Sequence, residues 1–390
     1  MSVTAPEGFV AGGVHCGVKT DPGALDLALV ATVDCQPVPA AAMFTSNKAT
    51  AAPVNVSRAH LACSAGNATA VILNSGNANA ATGRQGHADA ERTCALVGAA
   101  LGCEDATVLV CSTGLIGIPL AIDAVESGIA PLVQRLSGDS DGATSAADAI
   151  LTTDTVRKET LVPGRNFSVG GMAKGAAMLA PDMATMLAVL TTDAAVDSTV
   201  LQATLSRAVA ASFNEMTIDG CTSTNDTVIL LSSGRAGEPD SDEFTTAVAR
   251  ACADLSDQMV ADAEGATKVV TVTVTGAVSG EQAHQAARKV AESQLVKCSL
   301  YGADPYWGRI ISELGSAGVA FDPDRVSIAY GSVTVCSEGV AVAHDQSAVL
   351  SHLEGRDVQI GADLHIGTGA STIRTADLTP GYIHENMRTS

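Results

Sequence analysis

Lys174-Gly-Ala-Ala-Met-Leu-Ala-Pro-Asp-Met-Ala-Thr-Met-Leu-Ala-Val-Leu-Thr-Thr-Asp193 is the most informative stretch of the chain. A Lys stands in a glycine-containing turn, Pro181 redirects the backbone, and Thr185 opens an apolar run. A Thr hydroxyl is a poor nucleophile unless a base lies beside it. One solution is to cut the chain just before the Thr, so that its own new α-amino group becomes the base. An α-amine titrates near pH ~8, close to working pH, whereas a Lys amine does not. The same residues also suit an ordinary Gly/Pro turn leading into a buried helix or strand, because short motifs have many false matches.

Composition narrows the classes. The 390 residues suffice for two or three domains with a large core, and 46% of them are hydrophobic. Against 22 Lys and Arg stand 42 Asp and Glu, a net charge of −20. No basic stripe is present to meet phosphates, which argues against nucleic acid. Aromatics at 3% are too few for a base-stacking platform. The acid excess fits a cytoplasmic enzyme and a salt-adapted or high-GC bacterial proteome. No charge-free run of ~18 apolar residues suggests a membrane span, and the start lacks a secretory pattern. Ten scattered Cys form no Cys-x-x-Cys and read as reduced core residues. The eight His form no ligand pair, so neither a metal nor another cofactor is expected.

Short β-like runs alternate with Ala-rich helical ones. Leu25 to Val33, Thr69 to Leu73 and Thr107 to Cys111 read as buried strands, and His87 to Leu101 as a helix. Gly142 to Leu151, Val200 to Phe213 and Glu243 to Ala263 follow as helices. Lys268 to Val274 alternates Val and Thr, Val326 to Val335 is a hairpin around Gly331, and Asp357 to Asp363 and Ser371 to Thr375 are late strands. The fold class is mixed α/β in layers, without a βαβ rhythm or a dinucleotide fingerprint.

Other segments carry chemistry beside a bland reading. Cys111-Ser-Thr-Gly-Leu-Ile-Gly117 follows an apolar strand ending at Val110, and a turn at Thr113-Gly114 offers a hydroxyl and an unobstructed backbone N–H. It is equally a common turn. Leu151-Thr-Thr-Asp-Thr155 closes an Ala-rich helix and reads as a hydroxyl cap. Lys174 is a solvated Lys by default; beside a nucleophile it would hold a carboxylate and depress the α-amine pKa. Val260-Ala-Asp-Ala-Glu-Gly-Ala-Thr-Lys268 ends a long helix, with Gly265 as its C-cap. Glu264 there opposes the helix dipole, which suggests that it is placed for another reason, such as holding an ammonium. Ile218 to Thr227 is a turn dense in hydroxyls and acids.

Taken in order, these segments resemble the ornithine acetyltransferase / glutamate N-acetyltransferase family, in an actinobacterial-like version. The family pattern Lys-Gly-x-x-Met-x-x-Pro-x-x-Ala-Thr-Met-Leu matches from Lys174, and Ser-Thr-Gly, Asp-Ala-Glu-Gly and Asp-x-x-x-Ser-x-Asn-Asp follow suit. Asn74-Ser-Gly-Asn-Ala-Asn79 and Gly302-Ala-Asp-Pro-Tyr-Trp-Gly-Arg309 also match, as scaffold, with Tyr306 where Asn is common. The likeness runs from Ala5-Pro-Glu-Gly-Phe9 to the tail.

The resemblance implies an α-β-β-α sandwich with the nucleophile in the middle and a smaller C-terminal α/β lobe. It implies self-cleavage at Ala184-Thr185, giving segments 1–184 and 185–390 that stay associated, as a heterotetramer of two of each. Thr185 would carry the acetyl group, Thr113 and Gly114 would stabilise the oxyanion, and Thr152, Lys174, Thr185, Glu264, Asn386 and Ser390 would bind substrate. The reaction implied is ping-pong transfer of acetyl from N2-acetylornithine to glutamate in cytoplasmic arginine biosynthesis; some members also use acetyl-CoA, which no sequence feature decides. The tail departs: the family usually ends Asn-x-x-Tyr-Thr-Thr, and this chain ends Glu385-Asn-Met-Arg-Thr-Ser390, which bears on acceptor binding. Two alternatives remain. A self-cleaving amidohydrolase or aminopeptidase would transfer to water and need no amino-acid clamp. A non-catalytic acidic binding protein would tolerate loss of Thr185.

Overall fold

The run Leu27-Ala-Leu-Val-Ala-Thr32 is apolar on both alternating faces. A strand needs that only when layers cover it on both sides. Residues 2–178 and 186–387 are described, in a computed structural model. They form two units, one built on the residues up to Asn214 with Cys221–Met259, the other on Glu215–Gly220 and the residues from Val260 onward.

The first unit contains β1 (Phe9–Val14), β2 (Leu27–Thr32), β3 (Val38–Phe44), α1 (Ala52–Cys63), β4 (Asn67–Ala68), β5 (Ala70–Asn77), α2 (Gly83–Leu101) and β6 (Val108–Leu115). It continues with α3 (Ile122–Gln134), α4 (Ser140–Ala149), β7 (Lys158–Pro163), β8 (Ser168–Lys174), β9 (Leu187–Ala194), α5 (Ser198–Ala210), β10 (Thr227–Gly237) and α6 (Ser241–Ala261). One sheet has the order β1-β2-β5-β6 and a second the order β4-β3-β10-β9-β8-β7. Within them β5 runs parallel to β6, and β9 parallel to β10.

The two sheets face each other. Ala28, Val30, Val71, Leu73 and Leu109 of the first share one core with Ala42, Met172, Leu187, Val189 and Ile229 of the second, and with Ala143, Ala146 and Ala147 of α4. The opposite residues of the first sheet, Leu27, Leu29, Ile72 and Val110, meet Cys94 and Val97 of α2 and Val125, Ile129 and Leu132 of α3. On the second sheet α5 packs on β3, and Phe244 of α6 lies 5.8 Å from Phe167, centroid to centroid. This is the α-β-β-α sandwich expected.

The second unit contains β11 (Val269–Ala277), α7 (Gly280–Glu292), α8 (Gln294–Tyr301), α9 (Gly308–Gly315), β12 (Ser327–Tyr330), β13 (Val333–Ser337), β14 (Val340–Ala341), α10 (Gln346–Glu354), β15 (Asp357–Asp363), β16 (Gly369–Ala376) and α11 (Pro380–Asn386). Its sheet has the order β14-β13-β12-β15-β11-β16. Val270, Val272 and Val274 are buried while the intervening Thr residues are half-buried, so the Val/Thr alternation marks a strand with one covered face.

The structure corrects several expectations. The strand expected to end at Val110 runs on to Leu115, so Thr113-Gly114 belongs to β6 and is not a turn after it. The Ala-rich helix ends at Ala149, so Thr152 lies in the following loop and does not cap it. The helix expected to reach Ala263 ends at Ala261, so neither the Gly265 cap nor the dipole argument for Glu264 applies. Strands β1, β3 and β8 leave no mark in the sequence pattern because they are rich in Gly and Ala, residues with weak β preference. Of the ten free Cys, Cys94, Cys111, Cys252 and Cys336 are core residues, whereas Cys63, Cys221 and Cys298 are exposed.

Candidate active site

Ala184, Thr185 and Ser390 lie outside the described residues. The site is therefore built from what surrounds Met186, the residue after Thr185. Met186 leads into β9. Its N–H donates to Asp226 Oδ1 at 2.9 Å, and its carbonyl accepts from Thr227 N–H at 3.1 Å. The start of β9 is thus held to the start of β10. Asp226 is fully buried. Burial pushes its carboxyl pKa well above the ordinary value, against hydrogen bonds from the Met186 N–H and the Thr45 side chain and against the Lys174 charge.

The residue before Asp226 reaches β6, the strand that carries Thr113. Asn225 Nδ2 donates to Ser112 O at 2.9 Å and Ala78 O at 2.6 Å. Ser112 Oγ donates to Asn74 Oδ1 at 2.6 Å, and Asn74 Nδ2 to Asn77 O at 2.8 Å. Two adjacent side chains therefore tie the strand that carries Thr113 to the strand that follows Thr185. Residues of the Asn74–Asn79 stretch and of the polar turn before β10 make these contacts.

At the end of β6 the parallel register with β5 breaks between Gly76 and Asn77. Gly114 sits there with φ +128°. A Cβ on it would lie 2.3 Å from the Gly76 carbonyl carbon, so only glycine fits this approach. Thr113 is buried and Gly114 is exposed. The strand thus ends in an exposed glycine next to a sheltered hydroxyl, donor types that oxyanion holes can use.

A buried ionic cluster lies at the end of β8. The Asp154 side chain is 0% exposed, and its Oδ1 accepts from Lys158 Nζ at 2.7 Å and from Gly175 N–H at 2.7 Å. Its Oδ2 accepts from Thr152 N–H at 3.1 Å and lies 3.7 Å from Lys174 Nζ. Burial pushes the Asp154 pKa up, but the Lys174 and Lys158 ammoniums outweigh it and hold the carboxyl below the usual range. Two buried ammoniums share one carboxylate, which leaves a positive excess suited to an anion. Lys19, half-buried, adds its Nζ to the Leu25 and Leu151 carbonyls, at 2.7 Å each. Lys174 is therefore not a solvated surface residue. Asp154 escapes the sequence reading: inside Thr-Thr-Asp-Thr it looks like part of a cap, and its only signal is an acid four residues before a Lys.

The second unit holds Glu264 and Asn386. Asn386 Nδ2 donates to Glu264 Oε2 at 2.7 Å and to Tyr382 O at 2.9 Å. Gly265 (φ +62°) lets α11 approach, since a Cβ there would lie 2.2 Å from Tyr382 N; Thr379 Oγ1 donates to its carbonyl at 2.6 Å. Glu264 opens on a cavity of about 120 Å³ with Asp219, Glu292, Lys297, Asp377 and Tyr382 among its walls. Lys297 Nζ donates to Ile218 O at 2.6 Å and Thr375 Oγ1 at 2.9 Å, and burial pulls its pKa down to about 8. Among the described residues no group of His, Cys, Asp or Glu could hold a metal ion, and no helix is long and apolar enough to cross a membrane.

A two-sheet sandwich with such a strand end and a buried ammonium suits an enzyme of the acyl-transfer class. The sequence profile described as "ArgJ family" matches residues 10–389, and the chain belongs to that family. It is 48% identical over 394 residues to the "Arginine biosynthesis bifunctional protein ArgJ" of Mycolicibacterium paratuberculosis, covering 99% of this chain and 96% of that one. The protein of the same name from Thermobifida fusca is 45% identical, with 99% of each chain covered. Among solved structures, ornithine acetyltransferase complexed with ornithine from Mycobacterium tuberculosis is 46% identical over 46% of this chain and 94% of that chain, with a TM-score of 0.44.

Proposed function

We propose that this acetyltransferase of arginine biosynthesis moves the acetyl group of N2-acetylornithine to glutamate through an ester on Thr185. Acetyltransferase activity and the pathway follow from family membership; the residue roles are our reading. The chain cuts itself at Ala184-Thr185, and the freed α-amine takes the Thr185 hydroxyl proton. Oγ attacks the acetyl carbonyl, Thr113 and Gly114 stabilise the oxyanion, ornithine leaves, and glutamate takes the acetyl group. Thr152, Lys174, Glu264, Asn386 and Ser390 hold the substrate. Pieces 1–184 and 185–390 stay together, since β9 lies inside its sheet between β10 and β8. We further infer two copies of each piece, acting in the cytoplasm.

The observation that carries this reading is the pair Asn225 and Asp226, one bonded to the strand of Thr113 and the other to the residue after Thr185. A denaturing gel with N-terminal sequencing tests it. Two pieces are expected, one beginning Thr-Met-Leu-Ala, together with acetyl transfer between N-acetylornithine and glutamate. A fully active preparation of single 39.2 kDa chains would refute it. A hydrolase of related fold would release acetate without needing glutamate.

A further inference from the structure

The stretch from Leu151 to Asp154, which carries Thr152, follows α4 and belongs to no helix or strand. Its backbone groups therefore need partners of another kind. Two side chains supply them. The Asp154 carboxylate accepts from the Thr152 N–H at 3.1 Å. Lys19 Nζ, from 132 positions away, donates to the Leu151 carbonyl at 2.7 Å, and also to the Leu25 carbonyl at 2.7 Å. Lys19 is itself placed in advance. Asp26, fully buried, accepts from the N–H groups of Cys16 at 2.6 Å, Gly17 at 3.1 Å and Lys19 at 2.9 Å. The stem of Lys19 runs beside Gly76, where a Cβ would lie 3.0 Å from Lys19 Cγ. Gly76 is the residue at which the β5–β6 register breaks and which Gly114 approaches. Lys19 thus touches that strand end with its stem and the Thr152 loop with its ammonium. An ammonium resting on two neutral carbonyls is an expensive tie, because burial disfavours its charge. In return, its charge-assisted hydrogen bonds hold a geometry more firmly than neutral ones. Asp26 and Asp154 favour that charge and Lys174 opposes it, so Lys19 lies within electrostatic reach of the Asp154 cluster.

We propose that Lys19 is a substrate-positioning residue, an inference that rests on the reading of Thr152 as a substrate contact. By holding the Leu151 carbonyl it keeps Thr152 against the cluster of Asp154 and Lys174. It acts through Thr152 and touches no reacting atom. Its loss therefore leaves the chemistry in place and loosens the hold on the substrate. A contact made equally in the ground and transition states shows in KM and not in kcat. Donor and acceptor are both amino acids that occupy the site in turn, so both KM values should rise together.

Lys19→Met keeps the stem beside Gly76 and removes the ammonium. Acetyl transfer from N-acetylornithine to glutamate is measured for the wild type, Lys19→Met, Thr152→Ala and the double variant. Lys19→Met is expected to raise both KM values roughly tenfold, the scale of one hydrogen bond to a charged group, with kcat within about threefold of wild type. In the Thr152→Ala background the same substitution should add less than about threefold, because residues that act through one contact do not add. An unchanged KM in Lys19→Met, or an undiminished effect in the double variant, overturns the inference alone. So does a fall in kcat at constant KM, which marks a loss of folded enzyme and a purely structural Lys19. A wild-type KM in Thr152→Ala overturns the Thr152 reading and this inference with it. Should Lys19→Met not fold, Lys19→Gln, neutral and shorter, takes its place under the same outcomes.

Discussion

The two units hold their charges in opposite ways. In the first, Asp154, Lys158 and Lys174 are buried together and fixed by one another and by backbone N–H groups. In the second, Glu264 meets Asn386 near the surface, while Lys297 is deeply buried. A charge inside a low-dielectric core is strong if paired and very costly if not, whereas a wetted pair is screened. The buried cluster should therefore tolerate no change, and the open pocket should tune affinity only.

The largest expected effect is at the nucleophile. Thr185→Ala should abolish both cleavage and transfer, and Thr185→Ser should retain part of each, read by gel and by acetyl exchange. Full activity in the Ala variant would remove the chemistry from the first unit. Next comes Asp154→Asn, which leaves two ammoniums without their carboxylate. Breaking a buried pair costs ~3–5 kcal/mol, measurable by urea unfolding; a loss under about 1 kcal/mol, the range of wetted pairs, would mean that water reaches the cluster. The Asp154 pKa is lowered by folding, so its contribution is complete above the unfolded carboxyl pKa of ~4 and is lost as pH falls below it. Asp154→Asn should lack that part of the acid sensitivity.

Thr113→Ala should lower kcat by about 10²-fold, as loss of one oxyanion donor does elsewhere, without changing stability. An unchanged kcat would leave Thr113 as scaffold. Glu264→Gln should act more weakly. Loss of a fully desolvated charge partner would cost ~2–5 kcal/mol, but Glu264 is only half-buried, so about 1 kcal/mol is expected. That is a several-fold rise in KM for N-acetylornithine with cleavage intact. Blocked cleavage would assign Glu264 to maturation. The smallest effect is at Lys297, whose pKa drops from 10.5 to about 8. Between those values the unfolded chain binds the proton and the folded one does not, so stability should rise with pH across that window. Lys297→Met should flatten the rise.

Much of this is legible in the sequence. Continuous apolar runs mark β2, β5 and β6, Ala-rich periodicity marks α2, α5 and α6, and the Val/Thr alternation marks β11. Motif order points to the family and the candidate residues. The Gly- and Ala-rich strands β1, β3 and β8 stay hidden because small residues in strands satisfy a facing layer and have no local preference of their own.

The sequence by itself determined the chemistry: a Thr behind Pro-Asp-Met-Ala, a Ser-Thr-Gly, a Lys-Gly and an Asp-Ala-Glu-Gly, with residue types suited to acyl transfer between amino acids. Only the tertiary structure decided which polar residues are partners. Asp154 anchors Lys174 because β8 returns beside the loop after α4, where both side chains lose water together. No spacing in the chain announces that meeting. Asp226 and Met186 lie 40 positions apart and meet because β9 and β10 run parallel. Burial, which a linear pattern does not record, set both aspartates apart from ordinary turn residues.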